Sequence, residues 1–140
     1  MSLNHPKSGP NNVGSYQVSG IPFVTGSTGA AETITRKEFP FPFATRFITL
    51  SNSSNGAGEE LRVAFSAEGA IGGPGAVEKY EFLCPVNNAV TLDVRCKTIF
   101  VTTSAAMDWS LCAGLTPIKA ADFPVLTGSN GFAGVGGAAL

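Results

Sequence analysis

Residues 89–103 read AVTLDVRCKTIFVTT, the longest run in the chain with sustained strand character and no Gly, Pro or Asn. From Val90 to Cys96 the apolar residues Val90, Leu92, Val94 and Cys96 alternate with Thr91, Asp93 and Arg95. That two-residue period belongs to a strand with one buried and one wet face. After Lys97 the pattern changes, and residues 98–101 are apolar on both faces. A bulge or bend near Lys97, where the strand leaves an edge and becomes covered on both sides, accounts for the change. The run is therefore expected to be one long, bent strand of a β-sandwich.

Working outward from it, Met107, Trp109, Leu111 and Ala113 alternate with Asp108, Ser110 and Cys112, which predicts a further strand with the only Trp on its apolar face. Residues 114–124 read as a turn and connector, with Leu115, Ile118 and Phe123 folded back on the core. Upstream, residues 79–84 alternate and end at the turn formers of 85–88, and residues 61–67 alternate cleanly. Residues 46–52 form a strand that stops in the polar turn cluster 51–56. Residues 33–39 predict another strand, and residues 16–24, interrupted by Gly20 and Pro22, suit an edge strand. Between them, the loop 26–30 joins the two.

Phe39-Pro40-Phe41-Pro42-Phe43 can be neither helix nor central strand, because each Pro removes a ladder donor. It reads first as an apolar plug closing one end of the sandwich. The alternative is an exposed patch that docks a partner through Phe41 and Phe43. About eight strands without a helical window predict an all-β fold, two packed antiparallel sheets of jelly-roll or immunoglobulin-like type. The sandwich spans residues 15–126, between an N-terminal arm (1–14) and a Gly/Ala/Ser-rich C-terminal tail (127–140).

Length and composition agree with this. A chain of 140 residues is one domain by size and buries enough surface to fold without staples. Charged residues make up only 14% of it, while Gly and Pro number 17 and 9, which favours turns and strands over helices. A net charge of −1 with no Lys/Arg cluster argues against nucleic acid, where phosphate neutralisation supplies much of the affinity. No apolar run is long enough to cross a bilayer as a helix, and residues 1–20 lack a signal-peptide pattern. Synthesis in the cytoplasm, with no membrane partner, is the expectation.

Candidate chemistry is sparse. The single histidine, His5, sits in the loose arm beside Pro6, where no base could be held against a nucleophile. Glu59 and Glu60 are neighbours on one strand and point to opposite faces, and Glu68 closes that strand. The Gly-rich stretch 69–75 lacks the Lys-Ser/Thr of a phosphate-cradling loop. Cys84, Cys96 and Cys112 are too widely spaced for a structural zinc pattern; small buried hydrophobes is the leading reading, with one disulfide or an intermolecular link as alternatives. Neither a catalytic centre, nor a metal site, nor a cofactor is expected.

The ordered blocks RFITLSN (46–52), LRVAFSAEG (61–69), YEFLCPVNNAVTLDVRCKTIFVTT (80–103) and DWSLCAGLTPI (108–118) resemble those of small β-sandwich virion proteins of tailed bacteriophages. The resemblance covers residues 46–118 and brings no functional residues with it. It implies a capsid decoration or cement protein on the exterior of the virion, bound to the major capsid protein and homo-oligomeric, commonly trimeric. A head-fibre or tail component is the lesser implication. Such a role suits a rigid sandwich with adaptable ends. Leu3, His5 and Pro6 in the arm, Phe41 and Phe43 in the Phe-Pro segment, and Phe132, Val135 and Leu140 in the tail are the candidate contact residues. The competing expectation, a carbohydrate-binding or adhesin-type sandwich, needs exposed aromatics. Trp109 and Tyr80 read as inward-facing, which leaves Tyr16.

Overall fold

The computed structural model describes residues 20–27, 36–54, 56, 58–66 and 81–124. Eight strands run through them: β1 (Ile21–Ser27), β2 (Lys37–Pro40), β3 (Phe43–Asn52), β4 (Leu61–Ala64), β5 (Phe82–Cys84), β6 (Asn88–Leu92), β7 (Thr98–Thr103) and β8 (Trp109–Lys119). A single 3-10 turn, Ala120–Asp122, follows β8. The strands make two four-stranded sheets, ordered β1-β8-β3-β6 and β2-β7-β4-β5, named below after their central strands β8 and β7.

All pairs are antiparallel, and they nest: β4 with β5, β3 with β6, β2 with β7, β1 with β8. One long hairpin rolled over itself gives this order, and it is the jelly roll rather than the immunoglobulin arrangement. The two-sheet sandwich expected from the alternation is thus the fold, and the topology decides between its two variants.

Alternation fills the space between the sheets. Ile48 and Leu50 on β3, with Leu111, Ala113 and Leu115 on β8, face Leu61 and Val63 on β4 and Ile99 and Val101 on β7; all are buried in one cluster. Full burial of a side chain of this size stabilises by roughly 1.5–3 kcal/mol before entropy is counted. Phe39 and Trp109 meet edge-on across the sandwich at 5.9 Å, and Phe41 meets Phe23 of β1 at 5.0 Å and 85°. Those aromatic contacts close the side where the edge strands β1 and β2 lie.

The stretch 89–103 is two strands, not one. β6 is an edge of the β8 sheet and β7 a central strand of the opposite sheet, with residues 93–97 crossing between them. The break at Lys97 is a change of sheet. Core-facing positions are even-numbered from Val90 to Cys96 and odd-numbered from Ile99 to Thr103, because the inward direction reverses when the chain moves to the facing layer.

A second correction concerns residues 114–119, which continue β8 instead of forming a connector. Gly114 and Pro117 suggest a turn locally, but Gly114 lies opposite Phe47 of β3 and Pro22 of β1. Pro117 is exposed near the strand end. Pairing on both sides overrides the local signal. β1 begins at Ile21 and runs on through Gly26 and Ser27, into the expected loop, where a side chain at Gly26 would collide with the Trp109 carbonyl 2.6 Å away. β2 ends at Pro40 on an edge, the position in which a missing ladder donor is tolerated.

Backbone groups at the corners are satisfied by buried side chains. Thr45 Oγ1 donates to the Val94 carbonyl at 2.8 Å and accepts from the Cys96 N–H at 3.1 Å, which pins the crossover 93–97 beside the bulged start of β3. Thr116 Oγ1 donates to the Ala44 carbonyl at 2.7 Å. Asn52, 1% exposed, donates to the carbonyls of Glu59 (3.0 Å) and Cys84 (3.4 Å) and accepts from the Ser54 N–H and hydroxyl (3.1 and 2.7 Å). It ties the end of β3 to the strands of the other sheet.

An Asn52→Ala substitution leaves the Glu59 and Cys84 carbonyls without this donor and is expected to cost roughly 2–4 kcal/mol in urea unfolding. Asp122→Ala, on the exposed 3-10 turn, should stay within about 0.5 kcal/mol. Equal midpoints for the two variants would remove Asn52 from this role.

Candidate interaction surfaces

Glu59 accepts from the Gly56 N–H at 3.1 Å, while Glu60 pairs with Arg62. The adjacent carboxylates are thus committed to different partners, as strand geometry requires. Arg62 also reaches Glu81 at 3.6 Å, and Glu81 accepts from the Thr102 hydroxyl at 3.1 Å. The hydrogen bond that Arg62 donates to Glu60 pushes the guanidinium pKa up, against an opposing effect of burial. On the edge-strand side, Arg95 pairs with Asp93 at 2.8 Å.

Among the described residues no group of three or more His, Cys, Asp or Glu could hold a metal ion. Every buried side-chain nitrogen or oxygen among them has a hydrogen-bond partner. No orphaned polar atom marks a ligand position there.

Cys84, Cys96 and Cys112 are free thiols, the first two buried and the third half-buried. Burial pushes the Cys96 thiol up to about 11, with the Thr45 hydroxyl at 3.4 Å partly offsetting it. Burial also raises Cys84, against the effect of nearby backbone hydrogen bonds. Both are core residues in the manner expected of small hydrophobes.

The candidate contact residues divide. Leu3, His5, Pro6, Phe132, Val135 and Leu140 lie outside the described residues. Phe41 is 3% exposed and belongs to the core, and Phe43 is half-buried against it. The Phe-Pro segment is the plug, so Phe41 offers no surface to a partner. Trp109 is buried as well, and Tyr16 and Tyr80 lie outside the described residues.

What alternation along single strands does not reveal is how the outward residues meet across a sheet. On the β8 sheet they form rows. Val24, Cys112, Thr49 and Thr91 stand side by side on β1, β8, β3 and β6, and the two threonine hydroxyls are 2.9 Å apart. One step along lie Gly26, Ser110, Ser51 and Ala89, and on the other side Pro22, Gly114 and Phe47. None of these side chains carries a carboxylate, ammonium or guanidinium group, and Val24 is 70% exposed. By contrast the outer side of the β7 sheet carries the Glu60–Arg62–Glu81 network. These rows of the β8 sheet therefore differ in charge from the outer side of the β7 sheet, and the Asp93–Arg95 pair stands at their β6 edge.

Thiol exposure sets an expected order of reactivity. In the native protein an Ellman-type reagent should modify Cys112 first, with Cys84 and Cys96 following only on unfolding. Because the folded Cys96 pKa lies above that of the unfolded thiol, the native state binds more protons between the ordinary thiol range and about 11. Stability should fall as pH rises through that window. Cys96→Ala should flatten this decline; an unchanged slope would show that the thiol does not contribute.

No family model, no curated protein and no solved structure matches the chain.

Proposed function

We propose that the chain is a non-enzymatic structural protein of a virus particle, a decoration or cement protein that binds the outside of a phage capsid and stabilises the shell through subunit contacts. The observation that carries this reading is a jelly roll with a fully partnered described interior and an outer sheet face whose central rows carry no charge. Jelly rolls recur in viral capsid domains, and a role in assembly asks for a preformed body that offers surface and has no reaction to perform. Fold alone does not assign function; the block order that resembles small phage virion proteins adds the direction. The partners in this reading are the major capsid protein and further copies of the same chain. The arm (1–14) and tail (127–140), poor in charge and rich in Gly, Pro or Ala, would extend the contact beyond the sandwich.

Mass spectrometry of purified virions tests the reading, with the chain expected at a fixed copy ratio to the major capsid protein. Its absence from purified particles would overturn the proposal. Deleting residues 1–14 or 127–140 is expected to release the protein from capsids at lower salt or temperature. The melting temperature of the free protein should stay nearly unchanged.

A further inference from the structure

We infer that Asn52 is an N-glycan acceptor that folding closes: the chain can carry a glycan there or adopt the jelly roll, but not both. This holds whether or not the chain belongs to a virus particle.

Asn52-Ser53-Ser54 has the Asn-x-Ser pattern that oligosaccharyltransferases read, with no proline in the middle, and no other Asn-x-Ser/Thr occurs in the sequence. Glycan transfer joins Nδ2 of the asparagine to C1 of the first sugar and breaks the bond from C1 to the pyrophosphate of a lipid-linked oligosaccharide. One Nδ2 proton is given up with the departing lipid pyrophosphate. The enzyme needs the carboxamide and the serine hydroxyl in the open, and its product is bulky and belongs on a surface.

In the folded protein both groups are sealed. Asn52 is 1% exposed and Ser54 6%. Both Nδ2 protons are committed, to the Glu59 carbonyl at 3.0 Å and the Cys84 carbonyl at 3.4 Å. The Ser54 hydroxyl donates to Asn52 Oδ1 at 2.7 Å, and the Ser53 N–H donates to the Asp108 carbonyl at 3.0 Å. A glycosylated carboxamide keeps a single N–H, so one of the two carbonyls would lose its donor. The sugar would also need room in a site closed to water, where even one added methylene is felt.

Chain order leaves the acceptor open first. Cys84 follows Asn52 by 32 residues, and Asn88 and Trp109, its partners across the sheet, come later still. A nascent chain entering a glycosylating compartment thus presents an unsealed tripeptide, and modification there diverts it from the fold.

Translation of the full chain behind a cleavable signal peptide, in the presence of microsomes, tests this. The wild type is expected to gain one endoglycosidase-sensitive glycan, and the glycosylated species should be digested by dilute protease. Wild type made with a competing acceptor tripeptide should be unglycosylated and protease-resistant. Ser54→Ala removes the acceptor pattern and keeps both Asn52 donors, so it should also be unglycosylated and resistant, whereas Ser54→Thr should behave as the wild type does. The tripeptide arm needs no substitution, which keeps the comparison decisive should Ser54→Ala fail to fold. Given purified oligosaccharyltransferase and a lipid-linked glycan, the native protein should be modified at least roughly a hundredfold more slowly than a peptide of residues 46–58, in keeping with its small unfolded fraction. A nascent wild-type chain that takes no glycan, a glycosylated chain as protease-resistant as the unglycosylated one, or native protein modified as fast as the peptide overturns the inference.

Discussion

A chain that passes back and forth between two sheets must bury backbone at every corner, where no ladder partner is available. Each such amide or carbonyl costs about 1–3 kcal/mol if left unpaired. Three short polar side chains meet that demand here. Thr45 holds the crossover 93–97, Thr116 takes the Ala44 carbonyl freed by the bulges in β3, and Asn52 bridges the end of β3 to the entry of β4 and the end of β5. All three are essentially inaccessible to water. The apolar core can close because these positions leave nothing polar behind.

With the corners satisfied, packing does the rest. The inward residues of β3 and β8 meet those of β4 and β7, and the Phe-Pro segment lays Phe39 against Trp109 and Phe41 against Phe23. The prolines keep that segment extended and out of any central ladder. Its phenylalanines thus cover the open side of the sandwich.

Much of this was legible in the residues. Two-residue alternation marks the faces of β3, β4 and the first part of β8, and the disturbance at Lys97 marks a real discontinuity. Its meaning was not legible, because a bend within one strand and a change of sheet both reset the phase, and only pairing distinguishes them. Gly114 and Pro117 mislead for a similar reason: their conformational preferences are local, while β8 is held on both sides by β1 and β3. The uncharged rows of the β8 sheet are invisible strand by strand. They bring together Val24, Cys112, Thr49 and Thr91, residues scattered across the sequence, through a register that no local pattern encodes. Phe41 illustrates the opposite limit, where an apolar residue between prolines fits both a plug and a patch, and only burial decides.

The nested pairing also fixes when the molecule can come into being. β8 is a central strand of its sheet and the partner of both β1 and β3, yet it follows the seven other described strands. During synthesis β4 and β5 can meet early, but β1 has no neighbour until Trp109–Lys119 has left the ribosome. Until then its apolar residues wait uncovered, and closure depends on contacts of long sequence separation, the slow kind. The nascent protein is consequently most exposed to off-pathway aggregation just before β8 emerges.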